Sequence, residues 1–288
     1  QHWPPRPWHG ACYHSHNESN GCFMELTLLI KALVLGIVEG LTEFLPVSST
    51  GHLIIAGDLL GFNDDKGKVF EIVIQLGAIL GVVWDYRTRV GRLITGLNTK
   101  HEQRFLLNLF IAFLPAAIVG LLLHQQIKTY LFNPVTVAGA LIVGGFVILW
   151  IERLPLRVRI TSMEDLGPLD ALKIGVAQTF SLFPGVSRAG ATIMGGLLTG
   201  LSRTAATEFS FLLAMPVMFA ATFFELISNY KLFETADIPV FATGFVAAFV
   251  SALIVVKMFL RFVSNHNFTS FAIYRIVFGA LVLAYYWN

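Results

Sequence analysis

Long apolar runs alternate with short polar connections over most of this chain of 288 residues. Six of the runs reach about 17 to 22 residues, the length that a helix needs to cross a hydrocarbon core roughly 30 Å thick. The pattern therefore predicts six membrane-spanning helices, over 69–86, 105–123, 135–151, 207–227, 239–260 and 271–287.

Two further apolar regions are each interrupted near the middle by Pro, Gly and Ser. The first, 26–60, contains FLPVSSTGH at 44–52, and the second, 169–201, contains LFPGVSRAG at 182–190. Each half is expected to be too short to span a membrane. Irregular backbone at membrane depth is tolerated only where protein or a water-filled cavity satisfies its polar groups. Both regions are therefore predicted to be re-entrant helix hairpins with buried tips, called hairpin 1 and hairpin 2 below.

The two hairpins are copies of one another. Residues 32–61 align without a gap on 171–200 at a constant offset of 139, and eleven of the thirty pairs are identical. The chain thus predicts two repeats, 24–151 and 169–288, each made of a hairpin and three spans. Because three is odd, the second repeat enters the membrane from the opposite side, as in many transporters. The predicted fold class is an all-α polytopic membrane protein, an inverted repeat forming one domain over 24–288.

The first 23 residues mix Pro, His, Trp and Ser without an apolar period. We interpret 1–23 as a vector-derived or disordered leader. A metal site in this segment is disfavoured, because the spacing of its His and Cys residues fits no recognised zinc pattern. The residues concerned are His9, Cys12, His14, His16 and Cys22.

Charge is scarce and unevenly placed. Only 13% of the residues are charged and 55% are hydrophobic, with a net charge of +2, which excludes the basic surface that nucleic-acid binding needs. The connections 87–104 and 152–168 carry most of the basic residues, so the positive-inside rule places them in the cytoplasm. Both chain ends, the mouth of hairpin 1 and the connection 228–238 are then expected outside.

Differences between the hairpins point to chemistry, since matched positions are expected to serve the fold and polar mismatches are free to serve function. The matched pairs Ser48/Ser187 and Gly51/Gly190 are expected to cap the second half-helix and to allow its tight turn. The polar mismatches are Glu43 against Leu182, Ser49 against Arg188, Thr50 against Ala189 and His52 against Ala191. Hairpin 1 therefore holds the acids, a hydroxyl and an imidazole, and hairpin 2 holds a guanidinium.

Glu39 and Glu43 lie four residues apart in an apolar segment, so their carboxylates share one helix face and must share a proton, a cation or an arginine. Arg188 lies in the turn PGVSRAGAT at 184–192, which is expected to open a helix near residue 190. An arginine beside the free N–H groups of 189–192 is an anion site, most naturally for phosphate. Other charged residues of the spans are expected to pair with one another or to reach the membrane surface: Glu208, Lys257 and Arg275.

The segments EGLTEFLPVSSTGH at 39–52 and PGVSRAGAT at 184–192 closely resemble the two signature motifs of the undecaprenyl-diphosphate phosphatases of the bacitracin-resistance type. The resemblance extends from Met24 to the C-terminus. It implies an integral enzyme of the bacterial inner membrane that hydrolyses the lipid carrier diphosphate to its monophosphate and inorganic phosphate, for peptidoglycan synthesis. The second motif of the family usually has a serine at the position of Ala189, so Ser187, Arg188 and Thr192 are the matching positions here.

The resulting mechanism assigns each group a role. Ser49 is the expected nucleophile, with Ser48 or a metal-activated water left open, and Glu43 or His52 is the expected base. Arg188 would neutralise charge on the phosphoryl group. His52 is expected to protonate the leaving group or to make an orienting hydrogen bond. Glu39 is expected either to hold a divalent cation (Mg²⁺ or Ca²⁺) together with Glu43 or to set the protonation of Glu43. The expected substrate-binding residues are Ser48, Thr50, Gly51, Ser187, Gly190 and Thr192.

One alternative comes from another functional class. Inverted repeats with re-entrant hairpins are also typical of transporters, so a polyprenyl-phosphate flippase is the competing hypothesis. The expected partners are the polyprenyl diphosphate substrate and membrane lipids, and an oligomer is left open.

Overall fold

The computed structural model describes residues 18–62, 65–229 and 235–287. Within this part of the chain the architecture is almost entirely helical. The α-helices in chain order are α1 (Glu18–Thr42), α2 (Ser49–Leu60), α3 (Asp65–Asp85), α4 (Arg87–Thr95), α5 (Lys100–Tyr130), α6 (Pro134–Arg153), α7 (Pro168–Thr179), α8 (Arg188–Leu198), α9 (Arg203–Asn229), α10 (Ile238–Val263) and α11 (Thr269–Trp287).

Five of the described helices contain a segment long and apolar enough to cross a membrane. These segments are Lys100–Leu123, Pro134–Arg153, Arg203–Ser228, Thr235–Val263 and Thr269–Trp287. A sixth candidate consists of Val69–Asp85 together with Arg87–Thr95, which are bent by 75° relative to each other. Large apolar side chains stay exposed on these helices, as at Leu121 (73% exposed) and Leu281 (64%), where lipid would cover them. The prediction of an all-α, multi-pass membrane protein is confirmed.

Several element boundaries differ from the sequence prediction. Helix α1 begins at Glu18, inside the segment interpreted as a leader, and has 25 residues, whereas its counterpart α7 in hairpin 2 has 12. Residues 1–17, with four of the five candidate metal ligands, lie outside the described residues.

The polar connections are also more ordered than a loop prediction allows. Helix α4 occupies much of the connection 87–104, and α5 continues to Tyr130 through most of the expected outer connection. The connection 152–168 holds a short 3₁₀ turn, Met163–Asp165, and Ile160 forms an isolated parallel bridge with Leu201. Helix α4 and the end of α5 contain many polar residues, so the hydropathy pattern does not predict them as helices.

The offset of 139 residues between the hairpins also holds for their backbone. Helices α2 and α8 begin at Ser49 and Arg188, which are repeat-equivalent positions. The residue before each helix has a left-handed backbone, with φ of 69° at Ser48 and 75° at Ser187. Since side chains other than glycine rarely adopt this region, each tip carries the same strained turn.

Glycines allow close helix packing at equivalent places in the two repeats. Gly36 of α1 lies against the main chain of α10, and its repeat mate Gly175 of α7 lies against the main chain of α5. A Cβ atom at either position would collide with a main-chain oxygen of the neighbouring helix. Gly145 and Gly279 bring α6 and α11 together in the same way. The two interrupted regions are therefore held in the interior, with their tips among the long helices.

Candidate active site at the two hairpin tips

The tips of the two hairpins meet at Glu43. The Ser49 hydroxyl donates a short hydrogen bond to Glu43 Oε2. Arg188 Nη2 lies 3.1 Å from the other carboxylate oxygen, Oε1, as an ion pair with both side chains almost fully buried. One carboxylate thus joins a hydroxyl of hairpin 1 to the guanidinium of hairpin 2.

Arg188 is held on several sides. Nη1 donates to the Ser210 carbonyl oxygen at 3.2 Å, Nη2 lies 3.2 Å from Met218 Sδ, and the guanidinium lies over the Phe44 ring at 5.3 Å. Thr192 shares a 2.6 Å hydrogen bond with the Ser210 hydroxyl, so the predicted substrate contact Thr192 links α8 to α9. Arg188 Nε is buried without a partner, so one donor of the guanidinium is left unused.

Glu39 lies one helical turn before Glu43 and is 1% exposed. Its Oε2 atom has no hydrogen-bond partner, and Glu43, Glu71 and Arg188 are its charged neighbours. The corresponding residue of hairpin 2, Gln178, is also buried and keeps one amide oxygen without a partner.

The donor set fits a divalent cation only in part. In the described part of the chain no group of three His, Cys, Asp or Glu side chains could hold a metal ion. Magnesium is commonly bound by one or two carboxylates, with water and substrate phosphates completing the shell. The free oxygen of Glu39 fits such a shared site, whereas both Glu43 oxygens already have partners.

His52 lies next to the site but does not hydrogen-bond to Ser49. Its Nδ1 atom is 2.8 Å from the Ser48 carbonyl oxygen, and its Nε2 atom is 2.7 Å from the Tyr274 hydroxyl. Of the two bases that the sequence offers for Ser49, Glu43 is the one in contact with it.

The two matched serines behave differently. Ser187 caps α8, since its hydroxyl accepts a hydrogen bond from Gly190 N at 3.0 Å. Ser48 makes no side-chain cap at α2, so the expectation of capping is confirmed for Ser187 and wrong for Ser48. Ala191 N also donates to the Ser187 carbonyl oxygen. Ser187 therefore occupies two of the four N–H groups, those of Gly190 and Ala191, that were expected to bind phosphate at the start of α8.

The matched glycines do not form the tight turns either. Gly51 and Gly190 lie inside α2 and α8, and the left-handed positions are the serines before these helices. Both glycines pack closely against side chains of other helices instead. A Cβ atom on Gly51 would lie 3.0 Å from the Leu141 side chain, and one on Gly190 would lie 3.1 Å from Arg275 Nη1. Thr50 is half-buried in the first turn of α2.

Arg275 of α11 connects both tips. The sequence predicts a different role, pairing with another charged residue of the spans or reaching the membrane surface. Arg275 is 1% exposed, so it does not reach the membrane surface. Its partners in the described residues are five main-chain carbonyl oxygens: Pro46 at 3.2 Å, Gly185 at 2.9 Å, Val186 at 2.8 Å, Ala140 at 3.3 Å and Leu141 at 3.4 Å. Its position in the middle of an apolar run was the available signal, because charged residues inside a membrane are costly and mark functional sites. Lys257, by contrast, is 69% exposed and lies 3.5 Å from Asp85, which is not one of the partners expected from the sequence.

Similarity to known proteins covers most of the chain. The family model described as Bacitracin resistance protein BacA matches residues 32–281. A protein of Methylobacillus flagellatus named undecaprenyl-diphosphatase is 59% identical over 269 residues, which cover 92% of this chain and 100% of that protein. Two others of the same name, from Dechloromonas aromatica and Nitrosospira multiformis, are each 60% identical and cover 91% and 90% of this chain and 96% of their own lengths.

Proposed function

Because this chain belongs to the bacitracin resistance protein BacA family, we propose that it hydrolyses undecaprenyl diphosphate to undecaprenyl phosphate and inorganic phosphate. This reaction recycles the lipid carrier for peptidoglycan synthesis and gives resistance to bacitracin. The observation that carries the proposal is the buried contact of Ser49 and Arg188 with the two oxygens of Glu43. It supplies a nucleophile, a base and an electrophilic group at one place.

In the proposed reaction Ser49 Oγ attacks the terminal phosphorus, and its proton passes to Glu43. The bond between this phosphorus and the bridging oxygen breaks, and undecaprenyl phosphate leaves with the electron pair and takes up the proton. Water then attacks the phosphorus of the phosphoserine and gives a proton to Glu43. The bond between this phosphorus and Ser49 Oγ breaks, Oγ takes the proton back from Glu43, and inorganic phosphate leaves. A hydroxyl needs such an adjacent base because it is a weak nucleophile at its ordinary pKa.

Arg188 would stabilise the charge that spreads over the phosphoryl oxygens during transfer. Its unused Nε–H and its Nη2 group, which now binds Glu43, are the donors available to a phosphate. Thr50 and Gly51 in the first turn of α2 are the proposed main-chain contacts of the diphosphate, since no side chain caps this turn. Ser48, Ser187, Gly190 and Thr192 complete the proposed substrate site.

A divalent cation, Mg²⁺ or Ca²⁺, would be held by Glu39 together with the diphosphate and would supply further charge neutralisation. Glu39 has the free buried oxygen for this role. Without the ion, Glu39 is a second buried carboxyl group one helical turn before Glu43.

We also propose that residues 24–288 form one membrane domain built as an inverted repeat in the bacterial inner membrane, with both chain ends and the mouth of the site on the periplasmic side. The shared offset of hairpin tips and packing glycines supports the repeat. Thr99 and Thr235 are exposed and lie on connections expected on opposite sides. A cysteine at Thr99 should be labelled only from the cytoplasm and one at Thr235 only from outside; labelling of both from one side contradicts the inverted repeat.

The activity is tested by phosphate release from C55 and C15 prenyl diphosphates with purified protein in detergent. We expect phosphate and the prenyl monophosphate in equal amounts. Binding of the prenyl diphosphate without phosphate release would contradict the hydrolase and support the flippase hypothesis.

A further inference from the structure

Tyr274 lies outside the proposed reaction but contacts His52, a candidate residue of the same site. It is on α11, next to Arg275, and its hydroxyl lies 2.7 Å from His52 Nε2. The side chain is partly exposed, at 46%, so its hydroxyl is bound at the edge of the site. Because His52 lies beside Ser48 and Ser49, this hydrogen bond can affect the position of the proposed nucleophile.

The two hydrogen bonds of His52 fix which nitrogen carries the proton. The Ser48 carbonyl oxygen can only accept, so His52 Nδ1 must donate to it across 2.8 Å. In the neutral imidazole Nε2 is then an acceptor, and the Tyr274 hydroxyl donates to it. Tyr274 therefore stabilises the tautomer that holds the Ser48 carbonyl.

Aromatic packing fixes the plane of the same imidazole. The Phe278 ring stacks on His52 with 4.2 Å between centroids and 12° between planes. The Tyr274 ring is almost parallel to the imidazole, with 4° between planes and 5.7 Å between centroids. With both nitrogens bound and one face covered, His52 has a single orientation.

The Ser48 carbonyl belongs to the peptide that joins Ser48 to Ser49. Ser48 has a φ of 69°, a conformation that a serine keeps only if its surroundings hold it. His52 holds this peptide, and Arg275 holds the Pro46 carbonyl two residues earlier at 3.2 Å. The direction in which Ser49 presents its hydroxyl thus depends on α11.

We propose that Tyr274 is a positioning residue for the hydrolysis, acting through His52 on the strained Ser48–Ser49 peptide. The inference rests on the proposed function, because it assigns Tyr274 to the same site. Tyr274 orients the nucleophile before the reaction and exchanges no proton with the substrate.

The test is Tyr274→Phe, which keeps the ring and removes only the hydroxyl. Loss of one neutral hydrogen bond should lower kcat about five- to tenfold and leave KM within about twofold, since substrate contacts are unchanged. Tyr285→Phe is the matched control, because Tyr285 is on the same helix, is 54% exposed and packs against Tyr286. It should leave kcat unchanged.

A double-mutant cycle separates this role from a general structural one. In a His52→Ala background, Tyr274→Phe should cause no further loss of kcat, because its effect passes through the imidazole. An undiminished loss in that background, or a kcat of Tyr274→Phe equal to that of the parent, would overturn the proposal.

A measurement on the unmodified protein covers the case in which Tyr274→Phe fails to fold. In protein labelled with ¹⁵N-histidine, with the His52 signals assigned by their absence in His52→Ala, neutral His52 should be protonated at Nδ1 and not at Nε2. Protonation at Nε2 overturns the proposal. Because this result does not depend on turnover, it separates the proposal from the proposed function, which fails only if the parent releases no phosphate.

Discussion

Hairpin 1 and hairpin 2 have the same backbone turn but opposite chemistry. Each tip ends in a serine with a left-handed backbone conformation, Ser48 or Ser187, directly before a short helix. In hairpin 2 that serine caps its own helix, and the next residue is Arg188. In hairpin 1 it does not cap, and the next residue, Ser49, is bound to Glu43.

This difference shows how a duplicated element can supply two halves of one site. The shared turn places residue 49 and residue 188 at the first position of equivalent helices. The strain at each serine costs on the order of 1 to 3 kcal/mol, which packing must offset, and Arg275 supplies part of this through carbonyl oxygens of both tips. Side-chain differences on this common frame then separate the proposed nucleophile and base from the arginine proposed to bind phosphate.

The largest effect is expected for Glu43→Gln, which gives hairpin 1 a neutral side chain of the same shape. A glutamine cannot take the Ser49 proton, so phosphate release should fall by roughly 10²- to 10⁴-fold with substrate binding retained. Steady-state phosphate release and binding of the prenyl diphosphate measure the two quantities. Release within about tenfold of the parent would show that Glu43 is not the base.

Arg188→Lys tests hairpin 2. Lysine keeps the charge but loses the planar donor set that faces Glu43 and Ser210, so kcat should fall by about 10²-fold. Arg203→Lys is the matched control, because Arg203 also pairs with a glutamate, Glu152, but is 44% exposed. Equal kcat values for the two variants would reduce Arg188 to a generic positive charge.

The smallest effect concerns the two serines of the turns. Ser187→Ala removes the cap of α8 and should lower the free energy of unfolding by about 1 kcal/mol. Ser48→Ala removes no cap and should change this free energy much less. Thermal unfolding in detergent compares the two variants, and equal destabilisation would show that the turns are held in the same way.

The sequence could predict the parts of the fold that depend on hydropathy and duplication. The apolar runs located the membrane helices, and the constant offset located both turns, with α2 beginning at Ser49. Comparison of the two copies selected Glu43, Ser49 and Arg188, and the structure brings these three together. They could be found because the repeat alignment pairs Glu43 with Leu182 and Ser49 with Arg188, so each differs in chemistry from its repeat mate.

Features that depend on packing between distant segments could not be predicted. Ser48 and Ser187 are identical residues at equivalent positions of the two repeats, but only the Ser187 hydroxyl is placed to cap its helix. Arg275 and Tyr274 lie more than 200 residues from the carbonyl and imidazole of hairpin 1 that they bind. The start of α1 at Glu18 was missed because the mixed composition before Met24 lacks an apolar period.

The central claim is that Ser49 of hairpin 1 attacks phosphorus. It is tested most directly by mixing excess protein with undecaprenyl diphosphate labelled in its terminal phosphate, quenching within one turnover and locating the label by peptide mapping. We predict a phosphoserine at Ser49 that forms and decays as phosphate appears, and none in Ser49→Ala. Full phosphate release with no label on the protein, or label on Ser48, would contradict the account.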